Sequence, residues 1–225
     1  MSICLFLDTA VFMGYVFPND RWERAAYNCI LTQRKKYTSS KVEGELRKKT
    51  KYARDKITIE IRKLVFSLSE KKQDSVVQDP DVQRILDRTG DTKILPTLKL
   101  VFSDPARKGI TYGQLRDLLN NIQWDYLGMV HVRTKQAEEM ITNLDIESWS
   151  RFASYPEIEA GLSAIVKNSS DVQLLLDAHD LASTQNVVLD FVTGDWNDIK
   201  GNEIGILALV KLKKITYLAE FENAS

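Results

Sequence analysis

The sequence predicts an α/β fold built around a central parallel sheet. Two short apolar segments, Ile3–Leu7 and Val187–Val192, have the composition of strands that are buried on both faces of such a sheet. In the C-terminal part of the chain, strand and helix patterns alternate, which is typical of parallel strands joined by helical crossovers. We therefore expect a three-layer arrangement with helices packed on the sheet.

The composition is that of an ordinary soluble globular protein. Of the 225 residues, 44% are hydrophobic and 28% are charged, which excludes disordered and collagen-like classes. Two cysteines, Cys4 and Cys29, are too few for a disulfide framework or a zinc site built on thiols. Because Asp8 interrupts the apolar run Ile3–Phe17, we expect neither a signal peptide nor a membrane partner, and a cytoplasmic location.

The N-terminal strand is followed by helical patterns. A loop with Pro18 leads into a helix predicted over Asp20–Lys36. A second apolar periodicity starts near Ser40 and continues to about Lys72, which gives a helix of roughly 33 residues and about 50 Å. A helix of this length projects from a small domain or pairs with another helix, so a homo-oligomer formed through it is one candidate assembly.

The middle of the chain is predicted to be mainly helical, and the C-terminal part returns to alternating elements. Four helical segments are expected in the middle, at 80–88, 112–122, 135–143 and 156–166. The C-terminal elements are predicted at Ser170–Gln185 (helix), Val187–Val192 (strand), Asn202–Lys211 (helix) and Ile215–Leu218 (strand).

Acidic residues follow two of the predicted strands. Asp8 and Asp195 both lie just beyond a strand end, where the crevice of an open parallel sheet usually holds its ligand. On the helix after Ser170, Asp177 flanks the apolar stripe and can reach this edge, whereas Asp180 is predicted to face solvent. Glu43 and Glu45 flank the stripe of the long helix on opposite sides, and helical phase does not choose between them.

Four short segments, taken together and in this order, resemble the PIN domain of metal-dependent ribonucleases. The segments cover about 45 N-terminal and 55 C-terminal residues. They are Cys4-Leu5-Phe6-Leu7-Asp8-Thr9, Ser39-Ser40-Lys41-Val42-Glu43-Gly44-Glu45-Leu46, Asp177-Ala178-His179-Asp180-Leu181-Ala182-Ser183 and Phe191-Val192-Thr193-Gly194-Asp195.

The resemblance implies an endoribonuclease whose carboxylates hold Mg²⁺ or Mn²⁺. It selects Glu45 over Glu43, and it agrees with the choice of Asp177. Carboxylates that converge at a sheet edge repel one another unless a cation neutralises them, and oxygen-only ligands favour Mg²⁺ or Mn²⁺ over zinc. The implied site comprises the catalytic, metal-binding residues Asp8, Glu45, Asp177 and Asp195, a further metal ligand Asp198, and the accessory residues Thr9, Thr193 and Asn197.

On this interpretation, residues 1–46 and 168–225 form a PIN-like nuclease core, and residues 47–167 form a mainly helical insertion. The stretch from Gln33 to Lys63 carries twelve basic and four acidic residues, although the whole chain has no net charge. This local excess indicates a polyanionic partner, here RNA. The residues expected to contact it are Arg47, Lys48, Lys49, Lys51 and Arg54.

Other functions remain open. Ala10 stands where the PIN family commonly has Asn, and the insertion is unusually long, which keeps a non-catalytic PIN-like RNA-binding or assembly protein as the alternative. A structure-specific or single-stranded DNA nuclease would use the same metal chemistry. An antitoxin-like inhibitory protein is a further candidate partner.

Overall fold

The computed structural model describes residues 3–90, 92–143 and 145–223, which divide into two compact units. The sheet unit comprises Met1–Tyr15, Arg21–Leu46 and Lys135–Ser225, and the helical unit comprises Val16–Asp20 and Arg47–Thr134. None of the helices in the described ranges combines the length and the apolar composition that a membrane span requires.

The predicted parallel sheet is confirmed. Within the described residues, five strands form one sheet in the order β3-β2-β1-β4-β5, and every neighbouring pair is parallel. All residues of β1 and β4 are buried, as expected for apolar central strands. The strands are β1 (Cys4–Leu7), β2 (Lys36–Ser39), β3 (Glu147–Trp149), β4 (Leu189–Thr193) and β5 (Lys214–Tyr217).

Helices flank this sheet, which gives the three-layer α/β arrangement. The α-helices within the described residues are α1 (Thr9–Val16), α2 (Glu23–Leu31), α3 (Val42–Ser69), α4 (Asp79–Thr89), α5 (Leu95–Ser103), α6 (Tyr112–Thr142), α7 (Pro156–Ile165), α8 (Ser169–Thr184) and α9 (Glu203–Leu207). In the sheet unit, α8 contacts β2, β4 and α7. The Asn168 side chain caps α8 by accepting a hydrogen bond from the Ser170 N–H (3.1 Å).

The helical unit has its own apolar core. Ile57 and Ile61 of α3 and Leu115 of α6 are fully buried. Tyr126 of α6 is also buried, and its hydroxyl donates a hydrogen bond to the Lys93 carbonyl (2.6 Å), so the polar end of this ring is satisfied. α3 and α6 each contribute residues to both units, since the division falls inside these helices.

Near the N-terminus, the structure differs from the prediction in two elements. Helix α1 begins directly at Thr9, where the sequence predicts a loop, because Val11 and Phe12 turn an apolar side into the core. The helix predicted over Asp20–Lys36 ends at Leu31, and strand β2 follows. The polar residue Thr38 of β2 can be buried because its hydroxyl donates to the Leu7 carbonyl (2.8 Å).

The middle of the chain differs more. One continuous helix, α6, replaces the two segments predicted at 112–122 and 135–143, and α5 occupies part of a stretch that has no regular pattern in the sequence. The sheet unit resumes at Lys135 and takes in β3 and α7, while the division into a nuclease core and an insertion over 47–167 stays a prediction. Strand β3 has few apolar residues to indicate it because it is a three-residue edge strand.

Candidate active site

The register of the three central strands brings Asp8, Ser39 and Thr193 side by side. Leu7 of β1 pairs with Thr38 of β2 and with Val192 of β4, so the next residue on each strand lies at the same carboxyl edge of the sheet. The Asp8 N–H continues the ladder by donating to the Val192 carbonyl (3.0 Å). This edge is where open parallel sheets usually bind ligands.

Thr193 connects Asp8 to the turn that carries Asp195. The Thr193 hydroxyl donates to Asp8 Oδ2 (2.7 Å) and accepts a hydrogen bond from the Asp195 N–H (3.0 Å). Thr193 is fully buried and Asp8 is 5% exposed, so the bond between them is shielded from water. The predicted accessory residue Thr193 therefore orients a candidate carboxylate.

Ser39 holds the third carboxylate, that of Asp177. The Ser39 hydroxyl donates to Asp177 Oδ2 (2.5 Å), and the Arg151 Nε lies 3.7 Å from Asp177 Oδ1. Burial raises the pKa of Asp177, and the hydrogen bond from Ser39 and the positive charges of Lys41 and Arg151 offset only part of this effect. Asp177 is 2% exposed, so its charged form carries a desolvation penalty at this edge.

Glu45 is tied to the residue that follows Asp8. The Thr9 hydroxyl donates to Glu45 Oε2 (2.7 Å), which joins the first turn of α3 to the start of α1. Helical phase leaves Glu43 and Glu45 equivalent, and the structure gives Glu45 this contact. Thr9, like Thr193, positions a carboxylate through its hydroxyl.

Asn197 and Asp198, which follow Asp195 in the same turn, do not contact the other candidate carboxylates in the hydrogen bonds described above. The Asp198 N–H donates to Asp195 Oδ1 (2.9 Å), so the Asp195 carboxylate closes the turn. Both carboxylate oxygens of Asp198 accept hydrogen bonds from the backbone N–H of Lys167, at 3.1 and 3.0 Å, and Oδ2 also accepts one from the N–H of Asn168 (3.0 Å). Asp198 thus anchors the segment before α8, and its role as a metal ligand stays a prediction. Asn197 is exposed.

The carboxylates meet hydroxyl groups at this edge. Asp8, Glu45 and Asp177 each accept a hydrogen bond from a different hydroxyl, on Thr193, Thr9 and Ser39. Within the part of the chain that the structure describes, no three His, Cys, Asp or Glu side chains are grouped so that they could hold a metal ion. The structure therefore joins the candidate carboxylates to the ends of adjacent strands, and a metal-centred cluster of them stays a prediction.

The prediction that Asp180 faces solvent is wrong. Asp180 is fully buried, because the segment after β3 covers this side of α8. Its carboxylate accepts four hydrogen bonds, from Trp149 Nε1 (3.0 Å), the Phe152 N–H (3.1 Å), the Ala153 N–H (3.4 Å) and the Tyr155 hydroxyl (2.8 Å). Burial alone would raise the pKa of Asp180, but these bonds outweigh it and lower the pKa.

Sequence reasoning missed two residues of the site, Ser39 and Arg151. Ser39 ends a strand that was not predicted, and its only sequence signal is its place in the Ser-rich segment before α3. Arg151 follows the equally unpredicted β3, and no motif marks it. His179 does not belong to this group: its Nδ1 accepts a hydrogen bond from the Lys211 N–H (2.9 Å), and burial lowers its pKa.

Comparison of the chain with known proteins identifies no relative. No protein-family model matches the chain, and no curated protein or solved structure matches it either. The similarity to PIN domains therefore rests on the sequence motifs alone.

Proposed function

We propose that this protein is a metal-dependent endoribonuclease whose site lies at the carboxyl edge of the sheet. The observation that carries the proposal is that Asp8, Glu45 and Asp177 come from three separate parts of the chain and are each held by a hydroxyl at or next to the ends of β1, β2 and β4. Asp195 adjoins them through its backbone N–H, which donates to the Thr193 hydroxyl. Like charges repel, so acidic side chains at one edge of a sheet cost stability unless a positive charge neutralises them.

The donor set fits a hard divalent cation. The groups at this edge that could donate to a metal are carboxylates and hydroxyls, whereas His179 is engaged elsewhere. Such oxygen donors suit Mg²⁺ or Mn²⁺. Asp8, Glu45, Asp177 and Asp195 would hold the ion, which when bound activates water and stabilises charge on a phosphodiester.

The remaining polar residues have positioning roles in this proposal. Thr9, Ser39 and Thr193 fix the rotamers of the carboxylates, so that the oxygens stay at the sheet edge before any substrate arrives. Arg151 adds a positive charge beside Asp177, which favours the ionised form of this buried carboxylate and offsets part of its desolvation penalty. Basic residues of α3, which begins with the turn that carries Glu45, supply affinity for the phosphate backbone.

The test combines metal binding with cleavage. Mn²⁺ is titrated calorimetrically into the wild type and into Asp8→Asn, and single-stranded RNA is incubated with each protein in Mg²⁺, Mn²⁺ or EDTA. We expect Asp8→Asn to lower Mn²⁺ affinity by at least about tenfold and to abolish cleavage. The matched control is Asp190→Asn, which neutralises a different buried aspartate. Asp190 lies in β4, three residues before Thr193. Activity that survives in EDTA would contradict the proposal.

One observation favours the non-catalytic alternative. The guanidinium of Arg151 already lies beside Asp177 and supplies part of the charge that a cation would bring. In an assembly or RNA-binding protein, this ion pair and the hydroxyl contacts would only stabilise the fold at this edge, and no metal ion would bind there. That alternative predicts no Mn²⁺ binding, with equal results for Asp8→Asn and Asp190→Asn. A DNA nuclease would instead bind Mn²⁺ and cleave only the DNA substrates in a parallel assay.

A further inference from the structure

One side of α3 exposes large apolar side chains to solvent. Tyr52 is 72% exposed, Ile59 is 52% exposed and Phe66 is 70% exposed. The three residues are spaced by seven, so each lies only about 20° from the previous one around the helix, and together they form a row about 21 Å long. The buried residues Ile57 and Ile61 lie on the opposite side of the helix.

Lysines are interleaved with this row. Four of them lie within about 60° of Tyr52 around the helix axis, which places their ammonium groups on the same face. They are Lys48, Lys49, Lys56 and Lys63, and all four are exposed. By contrast, Arg47, Lys51 and Arg54 lie about 100° or more from Tyr52 around the helix axis.

We propose that this surface, the lysine–aromatic face of α3, binds single-stranded nucleic acid. The face consists of the four lysines with Tyr52, Ile59 and Phe66, and all of it lies in the helical unit. The lysines contact phosphates, and the rings of Tyr52 and Phe66 stack on bases. Cationic groups alternating with exposed aromatic rings are what single-stranded nucleic acids need, because every base has a face that stacks.

Charge argues against a second copy of the chain as the occupant. Spacing by seven also suits helix pairing, but two copies of this face would bring eight lysines together. The acids of the helical unit's part of α3 are Asp55, which pairs with Lys51 (3.0 Å), and Glu60, which pairs with Lys63 (2.9 Å). Even with both acids counted, the lysines of the face outnumber them by four to two. A polyanion complements this charge, whereas a copy of the same helix repels it.

The experiment measures binding without cleavage. Fluorescence anisotropy follows a labelled oligouridylate and a labelled oligothymidylate in EDTA, so that the result does not depend on the proposed nuclease site. We expect Tyr52→Ala and Phe66→Ala each to weaken binding by about fivefold to 100-fold. Tyr52→Phe keeps a stacking ring and should therefore bind the oligonucleotides with an affinity close to that of the wild type. The control Trp124→Ala removes an equally exposed ring (76%) from α6, where no lysine lies within one helical turn.

The lysines are tested through salt dependence. Replacing Lys48, Lys49 and Lys56 with Gln should flatten the plot of log affinity against log salt by about 0.7 for each phosphate that is no longer neutralised. The control replaces the exposed Lys99 and Lys108 of the same unit, which should leave the slope unchanged. Circular dichroism confirms that each variant is folded.

Two results would overturn the inference. The first is equal loss of affinity in Trp124→Ala and Tyr52→Ala, or no binding by the wild type. The second is unchanged affinity in Tyr52→Ala and Phe66→Ala together with a lower mass in sedimentation velocity, which would assign the face to a second copy of the chain. Binding that behaves as expected while Mn²⁺ cleavage fails would refute the nuclease proposal alone.

Discussion

Asp177 and Asp180 offer the sharpest test of the structure, because the same substitution should have opposite effects at these two positions of α8. Asp180 is buried and accepts two hydrogen bonds on each carboxylate oxygen. In Asp180→Asn, one oxygen becomes an NH₂ group, which faces two donors and bonds to neither. Burial raises the pKa of Asp177, so its charged form carries a desolvation penalty that a neutral amide does not carry.

The magnitude follows from the hydrogen bonds that the substitution removes. A hydrogen bond to a charged group contributes about 1.5–3 kcal/mol, so the removal of two at Asp180 should lower the free energy of unfolding by about 3–6 kcal/mol. For a chain of this size, each kcal/mol shifts Tm by about 2–4 °C, which gives a fall of at least about 6 °C. Asp177→Asn should have a Tm equal to or above that of the wild type, since its amide oxygen still accepts from Ser39.

The two carboxyls also differ in their pH dependence. The pKa of Asp180 is lowered below 3.8 on folding, so its contribution to stability is present above pH 3.8 and is lost as the pH falls through the folded-state pKa. The gap in Tm between the wild type and Asp180→Asn should therefore shrink in acid. The pKa of Asp177 is raised above 3.8, so the folded state gains stability from this group as the pH falls.

The assay is thermal unfolding followed by circular dichroism in EDTA, near neutral pH and again in acid. A Tm for Asp180→Asn within about 2 °C of the wild type would refute the assigned network, because about 1 kcal/mol or less would then depend on it. Equal destabilisation by Asp177→Asn would refute the argument from burial and charge.

Three further predictions concern Thr193, the cysteines and Arg151. Thr193→Val removes the hydroxyl between Asp8 and Asp195 and should lower the free energy of unfolding in urea by about 1–3 kcal/mol, whereas Thr193→Ser should restore it. Burial raises the pKa of the Cys29 thiol to about 12 and Cys4 is also buried, so Ellman's reagent should label the native protein far more slowly than the unfolded one; rapid native labelling would contradict this burial. Arg151→Gln removes a positive charge beside Asp177 and should increase Mn²⁺ affinity by calorimetry, and an unchanged affinity would show that the guanidinium does not act on the bound ion.

The elements that could be predicted are those whose own sequence explains their burial. The apolar strands β1 and β4 and the helix α8 carry continuous or periodic apolar residues, so their composition alone indicates their place in the core. Strand β2 could not be found in this way. Its Thr38 and Ser39 are buried only because Leu7 and Asp177, which are distant in sequence, accept their hydrogen bonds.

The same distinction separates the parts of the candidate site. Asp8 and Asp195 follow apolar strands and Asp177 flanks an apolar stripe, so local pattern points to the edge of the sheet where the structure has them. Asp180 has the same residue type but lies almost opposite the apolar stripe, and its burial depends on the segment from Trp149 to Tyr155, which covers the outer side of α8. The sequence of a helix predicts which side packs on the core, but it does not predict whether another segment covers the opposite side.

The hydroxyl contacts explain how a fold can carry these acids at one edge before any cation binds. Thr193, Thr9 and Ser39 each donate to one carboxylate oxygen, and Arg151 offsets part of the charge of Asp177. A divalent ion would have to compete with these donors for the same oxygens. Metal binding should therefore be weaker than the number of carboxylates suggests, because part of its free energy goes into replacing hydrogen bonds that the folded chain already makes.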